Sequence, residues 1–188
     1  MTGDRGVMGG GAVVFLTGLS GAGKSTIAGA LAADLEGAGR PVSIIDGDEL
    51  RRLSAHLGFD AASREANVRR AAELAEERAR DGRVVIAALI APFERSRRAA
   101  RQTVERSVPF LLVYVRTPLE VAEARDPKGL YARARAGEIR DFTGIDSPYE
   151  EPVDADLVID TTLTPVPEAV AAIRIALDRA LGDPDVRV

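Results

Sequence analysis

Short apolar runs alternate with longer helical patterns over most of the chain. The runs lie at 13–17, 42–46, 84–89, 111–115 and 157–160, and we interpret them as five strands. Strands that alternate with helical segments are typical of a parallel sheet covered by helices. The pattern therefore predicts an α/β fold in which a five-stranded parallel sheet is flanked by helices.

The spacing of apolar residues also predicts the helices that connect these strands. The apolar stripes are, in chain order, Ile27, Leu31 and Leu35, then Leu50, Leu53 and Leu57, and finally Val170, Ile173, Leu177 and Leu181. Gly37 and Gly39 are expected to end the first helix, and Gly58 the second. Ser63 is expected to cap a longer helix that runs to about Arg80.

The segment from 123 to 151 departs from this regular alternation. It is rich in charge, Gly and Pro and has little apolar periodicity, so we interpret it as a mobile lid. The chain as a whole is expected to form one domain, because 188 residues with 46% hydrophobic content suffice for one sizeable core. Residues 1–11 and 182–188 are expected to be a flexible lead-in and tail.

Composition excludes several classes of partner and chemistry. A net charge of -4 and a pI near 5.2 argue against nucleic acid or an anionic membrane as the main partner. The chain has no Cys, which excludes disulfides, thiolate metal sites and cysteine catalysis. No apolar stretch has the length of a membrane helix, and residues 1–10 lack the apolar core of a signal peptide, so we expect a cytoplasmic location.

A glycine-rich motif follows the first predicted strand directly. Residues 18–25 read G-L-S-G-A-G-K-S, the pattern of a phosphate-binding loop, or P-loop. In such a loop, backbone N–H groups surround phosphate oxygens, Lys24 reaches the β and γ phosphates, and Ser25 offers a hydroxyl to Mg²⁺. The alternative is a glycine-rich turn without a ligand. The candidate ATP-binding residues are Gly18, Leu19, Ser20, Gly21, Ala22, Gly23, Lys24, Ser25 and Thr26.

Lysine is rare in this chain. Only Lys24 and Lys128 occur among 25 basic residues, so arginine serves at almost every other positive position. A phosphate loop requires the compact ammonium of lysine, since the broad guanidinium of arginine would crowd the turn. Lys128 is therefore a second candidate for phosphate chemistry, although an ordinary surface charge is an equal alternative.

Two carboxylates end the second predicted strand. Ligands of open parallel sheets bind beyond the carboxyl ends of the strands, where Asp46 and Asp48 would lie. We expect Asp46 to bind Mg²⁺ and Asp48 to accept a proton from an attacking hydroxyl, and the reverse assignment stays open. The alternative for Asp48 is that it only caps the following helix.

Three polar residues further along the chain are candidates for holding an anionic acceptor. Arg51 lies in the short second helix, and Arg64 and Asn67 share one face of the longer helix at i, i+3. Arginine offers a bidentate fork, and asparagine offers both a donor and an acceptor. The alternative is that the arginines form a solvated face of a highly charged helix. His56 is the only histidine, and we interpret it as structural or exposed.

The motifs together resemble those of adenylylsulfate kinases, from about residue 13 to residue 159. They are G-L-S-G-A-G-K-S-T at 18–26, D-G-D at 46–48, L-G-F at 57–59, the R-x-x-N of Arg64 and Asn67, D-P-K-G-L-Y at 126–131 and F-T-G-I-D-S-P-Y-E at 142–150. The first motif is shared by many nucleotide enzymes, and the last two are much more specific. The resemblance implies a P-loop kinase that transfers the ATP γ-phosphate to the ribose 3′-hydroxyl of adenylylsulfate, with Mg²⁺, in sulfate activation.

The resemblance also implies roles for individual residues. Phe59 and Phe142 would flank the acceptor adenine, because flat aromatic faces suit a purine. Arg51, Arg64 and Asn67 would hold the phosphosulfate and the polar edges of the acceptor, with backbone contacts near Ile90. Lys128 would arrive with the lid and offset charge on the phosphates, and Asp48, Lys24 and Lys128 would be the catalytic residues. We expect plain packing for the remaining phenylalanines, Phe15, Phe93 and Phe110.

Three departures from the family pattern qualify this expectation. Ala91-Pro92 stands where many members have Ser-Pro, so a phosphoenzyme through that serine is excluded and direct in-line transfer remains. The segment before 57–59 is one residue shorter, which affects the reach of Arg51. The helical extension before the first strand is nearly absent, so a homodimer contact of that kind would be altered.

Two alternative functions stay open at this point. The first is a kinase of the same family that acts on another small hydroxyl compound. The second is a regulatory module that binds nucleotide without turnover, although such a module would not need Asp48 or an acceptor pocket.

Overall fold

The computed structural model describes residues 10–53 and 60–182. Its sheet has five parallel strands in the order β2-β3-β1-β4-β5, so the predicted α/β architecture is confirmed. The strands are β1 Ala12–Thr17, β2 Val42–Asp46, β3 Val84–Ala88, β4 Phe110–Arg116 and β5 Leu157–Asp160. The helices are α1 Lys24–Gly37, α2 Gly47–Leu53, α3 Ala61–Arg80, α4 Glu94–Val104, α5 Leu119–Arg125, α6 Leu130–Arg135 and α7 Val166–Ala180.

Alternate residues of β1 divide the core into two layers. Val14 and Leu16 face α1 and α7, whereas Val13 and Phe15 face α3 and α4. This follows from the period of two along a strand, and it explains why the strand is apolar throughout. Each such side chain contributes about 1.5–3 kcal/mol by leaving water. The expected packing roles of Phe15, Phe93 and Phe110 are confirmed, since all three are buried.

The predicted stripes of the first and last helices agree with the structure, whereas Leu57 and Gly58 of the second lie outside the described residues, and one predicted cap is wrong. Val170, Ile173 and Leu177 are buried on α7 as expected. The cap of α3 is Asp60, whose carboxylate accepts a 2.9 Å hydrogen bond from the backbone N–H of Ser63. Ser63 lies inside the first turn instead, since Asp60 has the extended backbone that a cap position requires.

The segment from 123 to 151 contains more packing than its composition indicates. It holds α6 and much of a small apolar cluster, formed by Ala122, Tyr131, Ala134, Ile139 and Phe142. The sequence pattern missed this cluster because its members are scattered between turns. Its mobility as a lid stays a prediction.

All five strands present their carboxyl ends at one edge of the sheet. The register aligns Leu16 with Ala88 and Val113, and Asp46 with the same Ala88. Loops that leave these strands therefore meet at this edge, as expected for a ligand site in an open parallel sheet. In the described part of the chain, none of the helices has the length and apolar character to span a membrane.

Candidate active site

The glycine-rich loop adopts a conformation that only glycine allows at two positions. Gly18 has φ +153° and lies so close to β4 that an added Cβ would be 2.4 Å from the carbonyl oxygen of Val115. Gly21 has φ +74°, and an added Cβ would be 2.8 Å from the carbonyl oxygen of Ala122. The loop therefore folds tightly against its neighbours and leads directly into α1. The amino-terminal end of α1 carries the partial positive charge that attracts phosphate.

Lys24 lies inside this loop and is almost completely buried. Its Nζ donates hydrogen bonds to the carbonyl oxygens of Gly18, at 2.9 Å, and Leu19, at 2.7 Å. Burial lowers the pKa of Lys24 to about 8, because desolvation disfavours the ammonium. The carboxylates of Asp48 and Asp46 act in the opposite direction on this pKa, and the charge of Lys128 lowers it further.

Asp46 contacts both the phosphate loop and the start of α2. Its Oδ2 accepts a 3.0 Å hydrogen bond from Ser25 Oγ, and its Oδ1 accepts bonds from the backbone N–H groups of Asp48 and Glu49. Asp46 is therefore the residue that caps α2. The alternative that Asp48 caps this helix is wrong, because Asp48 lies within the first turn.

Asp48 forms an ion pair with Lys128 across the cavity. Asp48 Oδ2 and Lys128 Nζ are hydrogen bonded, and both side chains are partly exposed. The pair joins the end of the second strand to the segment between α5 and α6, 80 residues away along the chain. Lys128 therefore lies at the site and contacts the predicted base, and its role in phosphate chemistry stays a prediction.

These side chains line one cavity of about 460 Å³ at the carboxyl edge of the sheet. Its walls include Lys24, Ser25, Asp46, Asp48 and Lys128. The phosphate loop from Ser20 to Thr26 lines it as well, so most predicted ATP-binding residues meet here. Gly18 and Leu19 contribute through their carbonyl contacts with Lys24.

One wall of this cavity was not predicted from the sequence. Arg125, Thr161, Thr164 and Val166 also line it. Arg125 donates to the hydroxyl of Thr161 at 3.1 Å and to the backbone carbonyl of Thr161 at 3.2 Å. The available signal was position alone, since Thr161 and Thr164 follow the last strand and reach the same sheet edge as the phosphate loop.

Arg64 and Asn67 lie on the other side of the site and are 5% and 3% exposed. The alternative of a solvated face is therefore wrong for this pair. Arg64 donates to Ser147 Oγ at 2.9 Å and to the backbone carbonyl of Asp141. Asn67 Nδ2 donates to the carbonyl of Gly47 at 3.2 Å.

The side-chain carbonyl of Asn67 is buried, and Asn67 lines a second, smaller space. Among the described residues, Asn67 Oδ1 is a buried acceptor without a hydrogen-bond partner. A second cavity of about 20 Å³ lies against Asn67, Arg64 and the turn at 89–92. Buried polar atoms are normally hydrogen bonded, so this acceptor is a candidate to receive a hydrogen bond from a ligand.

Ile90 lies between the two spaces. It lines the large cavity together with Lys24 and Asp48, and it lines the small cavity together with Arg64 and Asn67. The predicted backbone contact near Ile90 therefore lies between the phosphate-binding side and the polar pair. Its role in binding stays a prediction.

Of the two aromatic residues predicted to flank the acceptor adenine, the structure describes only Phe142. Phe142 is buried and packs edge-on against Tyr131, with 5.0 Å between the ring centroids. Tyr131 in turn donates from its hydroxyl to the carbonyl of Ser20 in the phosphate loop, at 3.0 Å. Phe59, with His56, lies outside the described residues, and Arg51 is described only as part of α2. The adenine contacts predicted for Phe59 and Phe142 stay predictions.

The family model for adenylylsulphate kinase matches residues 10–160 of this chain. The chain belongs to the adenylylsulfate kinase family. An adenylyl-sulfate kinase of Paraburkholderia xenovorans strain LB400 is 55% identical over 161 residues, which is 85% of this chain and 89% of that protein. Among solved structures, the Mycobacterium tuberculosis APS kinase in complex with AMPPNP and APS is similar, with a TM-score of 0.86 and 41% identity. That similarity covers 89% of this chain and 98% of the other.

Members of this family also occur as parts of longer proteins. A sulfate adenylyltransferase of Gibberella zeae is 50% identical over 170 residues, which is 89% of this chain but 30% of that protein. The present chain therefore corresponds to nearly the whole length of the kinase relative and to less than a third of the adenylyltransferase.

Proposed function

We propose that this chain is an ATP-dependent kinase that phosphorylates the 3′-hydroxyl of adenylylsulfate to give 3′-phosphoadenylylsulfate and ADP. The observation that carries the proposal is the arrangement of two polar centres around Ile90. A complete phosphate loop with Asp48 lies on one side, and the buried pair Arg64 and Asn67 lies on the other. Membership of the adenylylsulfate kinase family supports the same substrates.

On the donor side, the phosphate loop and the amino-terminal end of α1 would hold the phosphates of ATP. Lys24 already points its ammonium at loop carbonyls, at 2.7 and 2.9 Å, and can exchange these for phosphate oxygens. Arg125 and the loop after β5 form the outer wall, where the nucleoside part of ATP would lie.

The residues present fit a magnesium ion that is held mainly by nucleotide. Ser25 Oγ and Asp46 Oδ2 lie 3.0 Å apart, and both are the hard oxygen ligands that Mg²⁺ prefers. The described residues contain no cluster of three or more acidic, His or Cys side chains that could hold a metal without substrate. When bound, Mg²⁺ would neutralise charge on the β and γ phosphates.

Asp48 is the base in this proposal. The 3′-hydroxyl oxygen attacks the γ-phosphorus, its proton passes to the Asp48 carboxylate, and the bond to the β–γ bridging oxygen breaks to release ADP. Lys128 holds its ammonium beside Asp48 and therefore beside the path of the transferred group. Because Ala91 carries no hydroxyl, no phosphoenzyme forms at that position and transfer is direct.

On the acceptor side, Arg64 would place positive charge near the phosphosulfate, with Arg51 in the same role. The unsatisfied carbonyl of Asn67 would accept a hydrogen bond from an exocyclic amine such as that of adenine. Phe142 and Phe59 would contribute flat faces to the same purine. We also propose that the protein forms a homodimer and is cytoplasmic. The segment at 123–151 would act as a lid over the site.

The test is a comparison of initial rates at saturating Mg·ATP with adenylylsulfate, AMP and a panel of simple alcohols. Adenylylsulfate is expected to give the largest kcat/KM, because only it offers both an adenine and a phosphosulfate. Faster turnover of another acceptor would replace the proposed substrate. Release of no ADP above background with any acceptor would favour a nucleotide-binding module instead.

A further inference from the structure

The turn between β3 and α4 is held by three consecutive carbonyl groups. The carbonyl of Ile90 accepts from Thr17 Oγ1 at 2.6 Å, that of Ala91 accepts from Arg97 Nη1 at 2.8 Å, and that of Pro92 accepts from the backbone N–H of Glu150 at 2.9 Å. The three donors come from the end of β1, from α4 and from the last residues of the segment at 123–151. This turn is therefore fixed from three separate parts of the chain.

The hydroxyl of Thr17 takes part in a directed chain of hydrogen bonds. Thr17 Oγ1 lies 2.6 Å from the Ile90 carbonyl and 3.0 Å from the hydroxyl of Tyr149. A carbonyl cannot donate and a hydroxyl has one proton, so Thr17 donates to Ile90 and Tyr149 must donate to Thr17. Burial raises the pKa of Tyr149, which therefore keeps this proton. Such chains strengthen each bond by mutual polarisation.

Arg97 of α4 holds the same turn through its hydrogen bond to the Ala91 carbonyl. It is 2% exposed, and its guanidinium carbon lies 6.0 Å from the centroid of the Tyr149 ring. Ala91 has φ +42°, a left-handed backbone that is unfavourable for alanine and especially for a residue before proline. Such a conformation persists only where its surroundings impose it. The hydrogen bond from Arg97 to the Ala91 carbonyl therefore helps to hold this unfavourable backbone conformation in place.

We propose that Thr17, with Tyr149 and Arg97 behind it, is a positioning residue for the acceptor site. It acts through Ile90, which separates the large cavity from the space beside Arg64 and Asn67. By holding the Ile90 carbonyl, Thr17 fixes the distance of the acceptor from the phosphate loop that begins at the next residue. The inference rests on the proposed function for its substrate and on the described contacts for its geometry.

The experiment compares Thr17→Val, which keeps the shape but removes the hydroxyl, with Thr17→Ser, which restores the hydroxyl. Thr17→Val is expected to raise the KM for adenylylsulfate about tenfold and to change the KM for ATP by less than about twofold. Thr17→Ser should return both values to within about twofold of the original chain. Tyr149→Phe should raise the acceptor KM about threefold, because Thr17 can still donate to Ile90.

The matched control is Thr103→Val, since Thr103 is a half-buried threonine of α4 whose hydroxyl donates to the Ala99 carbonyl within its own helix. It should leave both KM values unchanged. Thr17 directly precedes the phosphate loop, so a merely structural role would raise the KM for ATP at least as much as that for the acceptor. An equal rise in both, or no rescue by serine, would overturn the inference.

Amide hydrogen exchange separates this inference from the proposed substrate. Thr17→Val should speed exchange in peptides that contain the backbone N–H groups of Glu94 and Glu150, which are bonded across the turn. Unchanged exchange there would overturn the positioning role whatever the activity. If the original chain fails to phosphorylate adenylylsulfate while exchange responds as expected, the substrate is wrong and the fixed turn stands.

Discussion

The two halves of the site are built in different ways. The donor half comes mainly from one continuous motif, in which the loop at 18–26 supplies the glycines, Lys24 and Ser25. The acceptor half is assembled from Arg64 and Asn67 on one helix, Ile90 after a strand, and the loop that carries Ser147. A contiguous motif places its own residues together, whereas a dispersed set depends on contacts between distant segments.

This difference predicts that substitutions in the two halves have separable effects. Changes in the phosphate loop should act on ATP and on turnover, and changes around Arg64 should act on the acceptor. The halves meet at Asp48 and Ile90, where effects on both are expected.

The largest effect is expected from Lys24→Met. It removes a buried ammonium that would contact the β and γ phosphates, so kcat/KM for ATP should fall about 10³-fold. Steady-state kinetics at fixed adenylylsulfate measures this fall. Lys24→Arg is the stringent companion variant, since the guanidinium should not fit between the carbonyls of Gly18 and Leu19. Activity near the original level in Lys24→Arg would contradict the assigned geometry.

The second-largest effect, on kcat, is expected from Asp48→Asn. Loss of the base should lower kcat about 10²-fold while the dissociation constant for ATP stays nearly unchanged. Rapid-quench or steady-state rates together with calorimetry measure the two quantities. Glu49→Gln is the matched control, because it neutralises the next carboxylate along α2, which is exposed. If the two variants behaved alike, Asp48 would lose its assigned role.

The fold and the donor half of the site could be predicted from the sequence, whereas much of the acceptor half could not. The strands, the phosphate loop and the positions of Asp46 and Asp48 depend on local patterns, so they were predictable. Burial of Arg64 and Asn67 was not, because Arg64 is hydrogen bonded to the loop at 141–147 and Asn67 to Gly47, and both partners are distant along the chain. The wall formed by Arg125 and Thr161 was missed for the same reason, since it depends on contacts across 36 residues.

The third effect, on the KM for adenylylsulfate, is expected from Arg64→Lys in the acceptor half. Lysine keeps the charge but cannot reproduce the separate bonds to Ser147 and to the Asp141 carbonyl, so the KM for adenylylsulfate should rise about 30-fold. The KM for ATP should stay within about twofold. Arg69→Lys provides the control, because Arg69 is exposed on the same helix. An increase in the KM for ATP as large as that for the acceptor would show that the halves are not separable.

The smallest effect is a pH dependence confined to the donor half. The pKa of Lys24 is lowered to about 8, so its ammonium is present below that pH and is lost as the pH rises above it. The dissociation constant for Mg·ATP should therefore rise about tenfold between pH 7 and pH 9. Titrations at several pH values measure it. Lys24→Met should abolish this slope, and a slope that persists in the variant would assign the titration to another group.

The most direct test of two separable nucleotide sites is calorimetric titration of adenylylsulfate into the chain already saturated with Mg·ADP. The account predicts that adenylylsulfate binds while ADP stays bound. It also predicts that Arg64→Lys weakens only the adenylylsulfate titration, whereas Lys24→Met weakens only the titration of ADP. Displacement of ADP by adenylylsulfate, one molecule for another, would contradict the account, because it would mean that the two nucleotides compete for a single site.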